Sequence, residues 1–312
     1  MKKGLIIRST GSWYDVREED GSIVKCRIQG EFRIQGIKTT NPIAVGDWVD
    51  FHMEADDTGV ISVIHDRKNY IIRKSVNLSK RSQIIASNVD QAFLMATIAS
   101  PRTSTGFIDR FLASAEAYRI PVQIIFNKID MLSEEDRKQL DYLKWVYRKI
   151  GYDCHEVSAT ENIGVEEIKA LLKDKVSMIS GHSGVGKSTL SNTIDSNLDL
   201  RVGDVSEAHF KGRHTTTFAE MFELDFGGFI VDTPGIKGFG MVDIDKKELG
   251  HYFVEIRAFM SECKFNNCQH INEPGCAVLA AVESGEIPAE RYANYLAIYE
   301  DEEAETYRGK GY

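Results

Sequence analysis

Short runs in which apolar and polar residues alternate fill the first seventy positions: GLIIRS (4–9), WYDVRE (13–18), SIVKCRIQG (22–30), DWVDFHM (47–53) and GVISVI (59–64). Each is rich in β-branched or aromatic residues and is bounded by Gly, Asp or Asn turns, which predicts strands. Five short strands predict a small all-β barrel of the OB type, over residues 1–68. Such a barrel can offer a face to nucleic acid, and the plainer alternative is a structural barrel that binds nothing.

From Val89 the period changes. VDQAFLMATI (89–98), PVQIIFNKID (121–130), YDCHEVSA (152–159) and VSMIS (176–180) are continuous apolar runs, and between them GFIDRFLASAEAYRI, SEEDRKQLDYLKWVYRKIG and GVEEIKALLKD carry apolar residues every three to four positions. This is the pattern of a parallel sheet covered by helices on both faces, so a central α/β domain is expected over 69–245. Ligands on such sheets gather at the carboxyl ends of the strands. After Gly250 the chain reads as helical, and 246–312 is expected to form a third, mainly helical domain. Five acids between Glu300 and Glu305 suit a solvated helix face or a frayed tail.

Composition changes this picture little. The chain has 312 residues with 42% hydrophobic, enough for several cores, and no run nears the ~20 apolar residues of a membrane span. The start has too short an apolar run for a secretory signal, so a cytoplasmic, monomeric protein without a membrane partner is expected. A net charge of −9 argues against indiscriminate coating of nucleic acid. Basic residues concentrate in HDRKNYIIRKSVNLSKRSQ (65–83), where Arg67, Lys68, Arg73, Lys74, Lys80 and Arg81 face one acid, Asp66. That run reads as a solvated linker, or more sharply as a phosphate-backbone contact beside the barrel.

Two motifs carry the chemistry. GHSGVGKS (181–188) has the spacing of a phosphate loop between a strand and a helix: Gly181, His182, Ser183, Gly184, Val185 and Gly186 would turn backbone N–H groups toward phosphates. Lys187 would add charge at the β- and γ-phosphates, Ser188 a hydroxyl for Mg²⁺, and Thr189 continues into the helix. NKID (127–130) ends an apolar strand, and an Asp in the place of Asp130 accepts two hydrogens that guanine offers and adenine does not. Asn127 and Lys128 would frame that reader. Val157, Ser158 and Ala159 end the next strand as a second base-contact loop.

Further on, Asp232 ends FIVD and would reach Mg²⁺ through water, while the Gly235 N–H would meet the γ-phosphate. In GRHTTT, Thr216 is the favoured switch ligand of Mg²⁺, with Thr215 and Thr217 as alternatives. The elements therefore run base, base, phosphate, switch, Mg²⁺ strand, a cyclic reordering of the usual GTPase order. A parallel sheet tolerates this, because the loops meet at one edge whichever strand comes first.

Cys263, Cys268, His270 and Cys276 have the residue types and spacing of a closed, structural Zn²⁺ site, with His251 a less favoured nitrogen ligand. Cys26 and Cys154 read as packing residues.

Taken together, barrel, reordered motifs and cysteine cluster resemble the RsgA/YjeQ family of circularly permuted GTPases, over essentially the whole chain. The resemblance implies an OB-fold barrel and a GTPase that turns GTP into GDP and phosphate late in small-subunit maturation. It also implies stimulation by the small (30S) ribosomal subunit, contact with its 16S rRNA, and zinc on the cluster. Ile236 stands where many GTPases have a water-orienting glutamine; the resemblance assigns that work to His214. Two alternatives are an RNA-binding nucleotide switch with incidental turnover and a permuted GTPase of large-subunit assembly.

Overall fold

The structure, a computed structural model, describes residues 1–28, 42–74, 82–198, 219–232 and 245–308. The N-terminal runs form β1 (Lys2–Ser9), β2 (Tyr14–Glu18), β3 (Ile23–Ile28), β4 (Trp48–Met53) and β5 (Gly59–Ile64). They pair in the order β1-β2-β3-β5-β4, and β4 returns to β1, closing the barrel. The β3–β5 pairing is parallel while its neighbours are antiparallel, the path of an OB barrel. Period-two alternation sends Ile6, Tyr14, Val16, Cys26, Val49, Phe51 and Ile61 inward. Cys26 is fully buried there, and burial pushes its thiol up to about 12.

The basic run after the barrel is not a free linker. Tyr70–Lys74 (β6) and Ser82–Ser87 (β7) form an antiparallel hairpin. Arg67 turns inward, its Nε 2.6 Å and Nη2 2.5 Å from the carboxylate of Asp47, which is fully buried. Asp47 also accepts from the Ser87 hydroxyl at 2.6 Å and the Ala44 N–H at 2.8 Å, and Lys68 pairs with Asp90. Two of the six cations are thus spent on holding barrel, hairpin and central sheet together. Arg67 is not available to a phosphate backbone without breaking that frame, whereas the Lys68 side chain stays 49% exposed.

The central domain contributes β8 (Gln91–Ala96), β9 (Val122–Asn127), β10 (Asp153–Val157), β11 (Val176–Gly181), β12 (Glu220–Glu223) and β13 (Phe229–Asp232). Their order is β10-β9-β8-β11-β13-β12, parallel except for β12. Helices α1 (Thr105–Ala117) and α2 (Glu134–Lys149) cover one face, and α3 (Val165–Leu172) and α4 (Lys187–Ile194) the other. Successive residues of β8 divide between them: Leu94 and Ala96 pack with Phe111 and Leu143, whereas Phe93 and Met95 pack with Ile168 and Leu190. That two-sided burial is why these strands read as unbroken apolar runs. At the far edge Arg8 of β1 pairs with Glu220 of β12, and Arg17 grips the Glu223 carboxylate, its Nε 2.7 Å from Oε2, so barrel and sheet are continuous.

Beyond residue 245 the chain forms α5 (Val254–Phe259), α6 (Ala277–Glu283) and α7 (Ala289–Arg308) around a core of Leu249, Phe253, Ile256, Val278, Ile287, Tyr295 and Ile298. Ala113 of α1 belongs to this core. Beside it lies a buried charge cluster in which Arg291 meets Glu255 through Nε (2.7 Å) and Nη2 (3.1 Å) and Asp109 through Nη1 (2.6 Å). No helix among the described residues is long and apolar enough to cross a membrane.

Candidate nucleotide and metal sites

Parallel strands bring the separated motifs to one edge. Asn127 ends β9, Val157 ends β10, Gly181 ends β11 and Asp232 ends β13. Asn127 is the cross-link. Its Nδ2 donates to Val185 O of the phosphate loop (2.8 Å), and its Oδ1 accepts from the Ala159 N–H (3.2 Å). Thr193 of α4 closes the ring by donating to Ala159 O at 3.1 Å. The loops that follow β9, β10 and β11 are therefore one bonded unit, although they arise from three separate stretches of chain.

That unit explains the glycines. Gly186 has φ +99°, and a Cβ on it would be driven into Asn127 Nδ2; at Gly181, φ +148°, a Cβ would lie 2.5 Å from Met95 O. Lys187 opens α4 and donates to Gly181 O and His182 O, each at 2.7 Å, so the loop wraps its own ammonium. Ser188 and Val185 are buried, whereas His182, Ser183 and Gly184 face solvent and Thr189 is half-buried. The α4 N-terminus and this lysine make a cradle for an anion.

Lys128 adopts φ +63° and reaches Ser100 O at 2.7 Å, leaving Asp130 exposed in the short turn Ile129–Met131. Ser158 is fully buried, and its hydroxyl accepts from the Glu161 N–H at 3.2 Å, which shapes the second base loop. His214, Thr215, Thr216, Thr217, Gly235 and Ile236 lie outside the described residues, as does the Asp232 side chain.

Cys263, Cys268, His270 and Cys276 converge, their donor atoms all within 4.8 Å of one another. His270 Nδ1 is 3.6 Å from Cys263 Sγ and 3.5 Å from Cys276 Sγ, and the two sulfurs are 3.9 Å apart. Tetrahedral Zn²⁺ with bonds of about 2.3 Å to sulfur and about 2.05 Å to nitrogen requires roughly 3.8 Å between sulfurs and roughly 3.6 Å from sulfur to nitrogen. The donor set and its spacing fit that ion, with Nδ1 as the nitrogen donor.

The loop is tied by residues that no motif marks. Glu273 accepts from the N–H groups of Gln269 (2.7 Å), Ile271 (2.8 Å) and Asn272 (3.1 Å). Burial acts to raise its pKa, but the N–H groups of Gln269, Ile271, Glu273 itself and Asn272 bring it down to about 2. Tyr292 donates to His270 O and Tyr295 to Gln269 O, both at 2.8 Å, anchoring the loop on α7. His251 is not in the cluster.

A closed barrel joined to a parallel sheet, with the base loop preceding the phosphate loop it clasps, defines a circularly permuted GTPase. Residues 64–242 match the RsgA GTPase family and residues 3–61 the RsgA N-terminal domain, and the chain belongs to that family. It is 55% identical over 306 residues to the small ribosomal subunit biogenesis GTPase RsgA of Phocaeicola vulgatus, covering 98% of this chain and 99% of that one. It is likewise 55% identical to the protein so named from Flavobacterium johnsoniae, over 98% and 94% of the two chains. Among solved structures it is similar to YjeQ from Thermotoga maritima (36% identity, TM-score 0.80, 96% and 98% covered). It is also similar to YloQ, described as a circularly permuted GTPase (31%, TM-score 0.76, 96% and 94%). The chain is a GTP-hydrolysing enzyme of ribosomal subunit biogenesis.

Proposed function

We propose that this GTPase acts on the maturing small ribosomal subunit, touches its rRNA, and hydrolyses GTP faster when the subunit is bound. The observation that carries the nucleotide part is the Asn127 clasp, which fixes a guanine-reading loop against a phosphate cradle. The small-subunit part is supported by high identity, over nearly full length, to relatives named for that subunit. A cytoplasmic monomer divided at about residues 68 and 245 suits this reading.

In it, the Asp130 carboxylate accepts the guanine ring N–H and amine, while Asn127, Lys128, Ser158 and Ala159 shape the base slot. Backbone N–H groups from Gly181 to Thr189 and the Lys187 ammonium bind the phosphates. Ser188, Thr216 and Asp232 supply the hard oxygen donors that suit Mg²⁺, and the Gly235 N–H meets the γ-phosphate. Bound there, Mg²⁺ neutralises charge on the phosphates. Ile236 has no group to align water, so His214 orients it and accepts its proton. Zinc on Cys263, Cys268, His270 and Cys276 is structural, since four protein ligands leave no open position.

Exchanging Asp130 for Asn turns one acceptor into a donor. The loss of a hydrogen bond to a charged group, about 1.5–3 kcal/mol, predicts roughly ten- to a hundred-fold weaker GTP binding and a swing toward xanthosine triphosphate. Unchanged nucleotide preference in competition titrations would remove Asp130 from the base slot.

The function itself is tested by GTP turnover with and without isolated small subunits. The expected result is a marked rise in kcat that His214→Ala abolishes while fluorescent GDP still binds. Tight GTP-dependent binding to small subunits with no rise would instead make the chain an RNA-binding switch, and stimulation by large subunits alone would move it to the other assembly line.

A further inference from the structure

The stretch joining β8 to α1, which carries no recognisable motif, touches both the loop after β9 and the loop after β11. Ser100 O holds Lys128 of the base loop. Pro101 lies against Gly184, where a Cβ would meet its ring at 3.5 Å. In the first turn of α1, the Phe107 ring lies on the His182 ring, centroids 3.6 Å apart and planes inclined by 30°. Helix α1 is itself held from behind by the C-terminal domain. Asn294 of α7 donates to Asp109 Oδ2 at 2.6 Å, Tyr147 to Oδ1 at 2.9 Å, and Arg291 completes the ion pair.

The phosphate loop needs outside support. Three of its glycines have φ between +81° and +148°, so the backbone between them has few conformational restraints of its own. His182 follows the first of these glycines, and its carbonyl is one of the two that receive Lys187. Whatever fixes His182 therefore fixes one wall of the lysine's seat.

We infer that Phe107 is a positioning residue for the phosphate loop: it presses on His182 from a helix whose placement is set by Asp109, Arg291 and Asn294. The inference rests on reading residues 181–189 as the GTP-binding loop. Phe107 touches no reacting atom; its effect passes through His182. The C-terminal domain thereby sets how firmly guanine nucleotide is held, through α1.

The test measures release of fluorescent methylanthraniloyl-GDP and steady-state turnover of the full chain. Phe107→Ala should speed release roughly 2- to 10-fold, the range an aromatic pair contact supports, and raise KM for GTP more than it lowers kcat. Phe107→Tyr should restore both. The ring-current shift of the His182 ring protons in NMR should vanish in the Ala variant and persist in the Tyr variant. Asn294→Ala should speed release less, and should add nothing once Phe107 is gone. Wild-type release from Phe107→Ala, failure of Tyr to rescue, or independent effects of the two sites would overturn the inference. A wild-type chain that binds no guanine nucleotide would remove the loop reading, and the inference with it.

Discussion

Arg291→Met should cost about 3–5 kcal/mol of stability, because it strands two buried carboxylates. The Arg291 side chain is 1% exposed, Asp109 0% and Glu255 5%, so water cannot replace the lost cation. Burial acts to lower the Arg291 pKa, yet the Asp109 and Glu255 carboxylates hold it well up, and the residue stays charged. For Asp109, burial is the dominant influence and raises the pKa, against the pull of Arg291, Asn294 and Tyr147. A carboxyl whose folded pKa lies above its unfolded value loses stability as pH rises through that interval. Removing the cation moves the folded pKa further up, so the deficit of the variant should be largest at neutral pH and shrink on acidification. Urea unfolding at pH 7 and pH 5 checks both statements. A deficit that does not change with pH would mean that lost packing, not stranded charge, is its source. Combining Arg291→Met with Asp109→Asn and Glu255→Gln should recover much of the loss.

The second large effect concerns the cysteine cluster. Stripping its metal with a strong chelator, or replacing Cys268 by Ser, should unfold the C-terminal helices while the barrel remains. Structural zinc binds with on the order of 10 kcal/mol, comparable to the whole ~5–15 kcal/mol stability of a domain. The ligand loop has little else to hold it: between Glu262 and Ala277 there is no helix or strand, only turns tied by Glu273 and by Tyr292 and Tyr295. Mass spectrometry of the native chain should show one zinc, and hydrogen exchange over 245–300 should collapse on its removal. Native protein without zinc, or exchange unaffected by chelation, would sink the assignment.

What could be read from the chain follows from how local each signal is. The strands β1 to β5 and the two faces of β8 were legible because burial imposes a period on consecutive residues. The strand, loop and helix around Gly181–Ser188, the turn after Asn127 and the converging cysteine cluster were legible because each follows from a short, fixed spacing. The hairpin β6–β7 was missed: its apolar pairs are interrupted by Arg73, Lys74 and Gln83, so cations masked a strand pattern. Arg67 and Arg291 look like ordinary solvated cations in HDRKN and AERYA, yet each is buried against an acid far away in sequence, Asp47 and Asp109. Long-range pairing leaves no period to read. Phe107 was missed for the same reason, since it acts on a loop made much later; Glu273 was missed although its partners are only one to four residues away, because they are backbone N–H groups that no side-chain pattern marks.

The place of β11 between β8 and β13 also dictates an order of assembly on the ribosome that makes this chain. Of the central sheet, strands β8, β9 and β10 leave the exit tunnel first, after the barrel, and can pair with one another, but their inner edge at β8 has no neighbour until Val176–Gly181 emerges. On the far side β11 then waits for β13, and β1 of the finished barrel waits for Glu220. An open edge of apolar strand is a template for the wrong partner. The inner edge of β8, which ends at Ala96, thus stays open until β11 begins at Val176, and the strand that closes it runs directly into the Gly181–Ser188 loop, so protection from misassembly and the making of that loop arrive together.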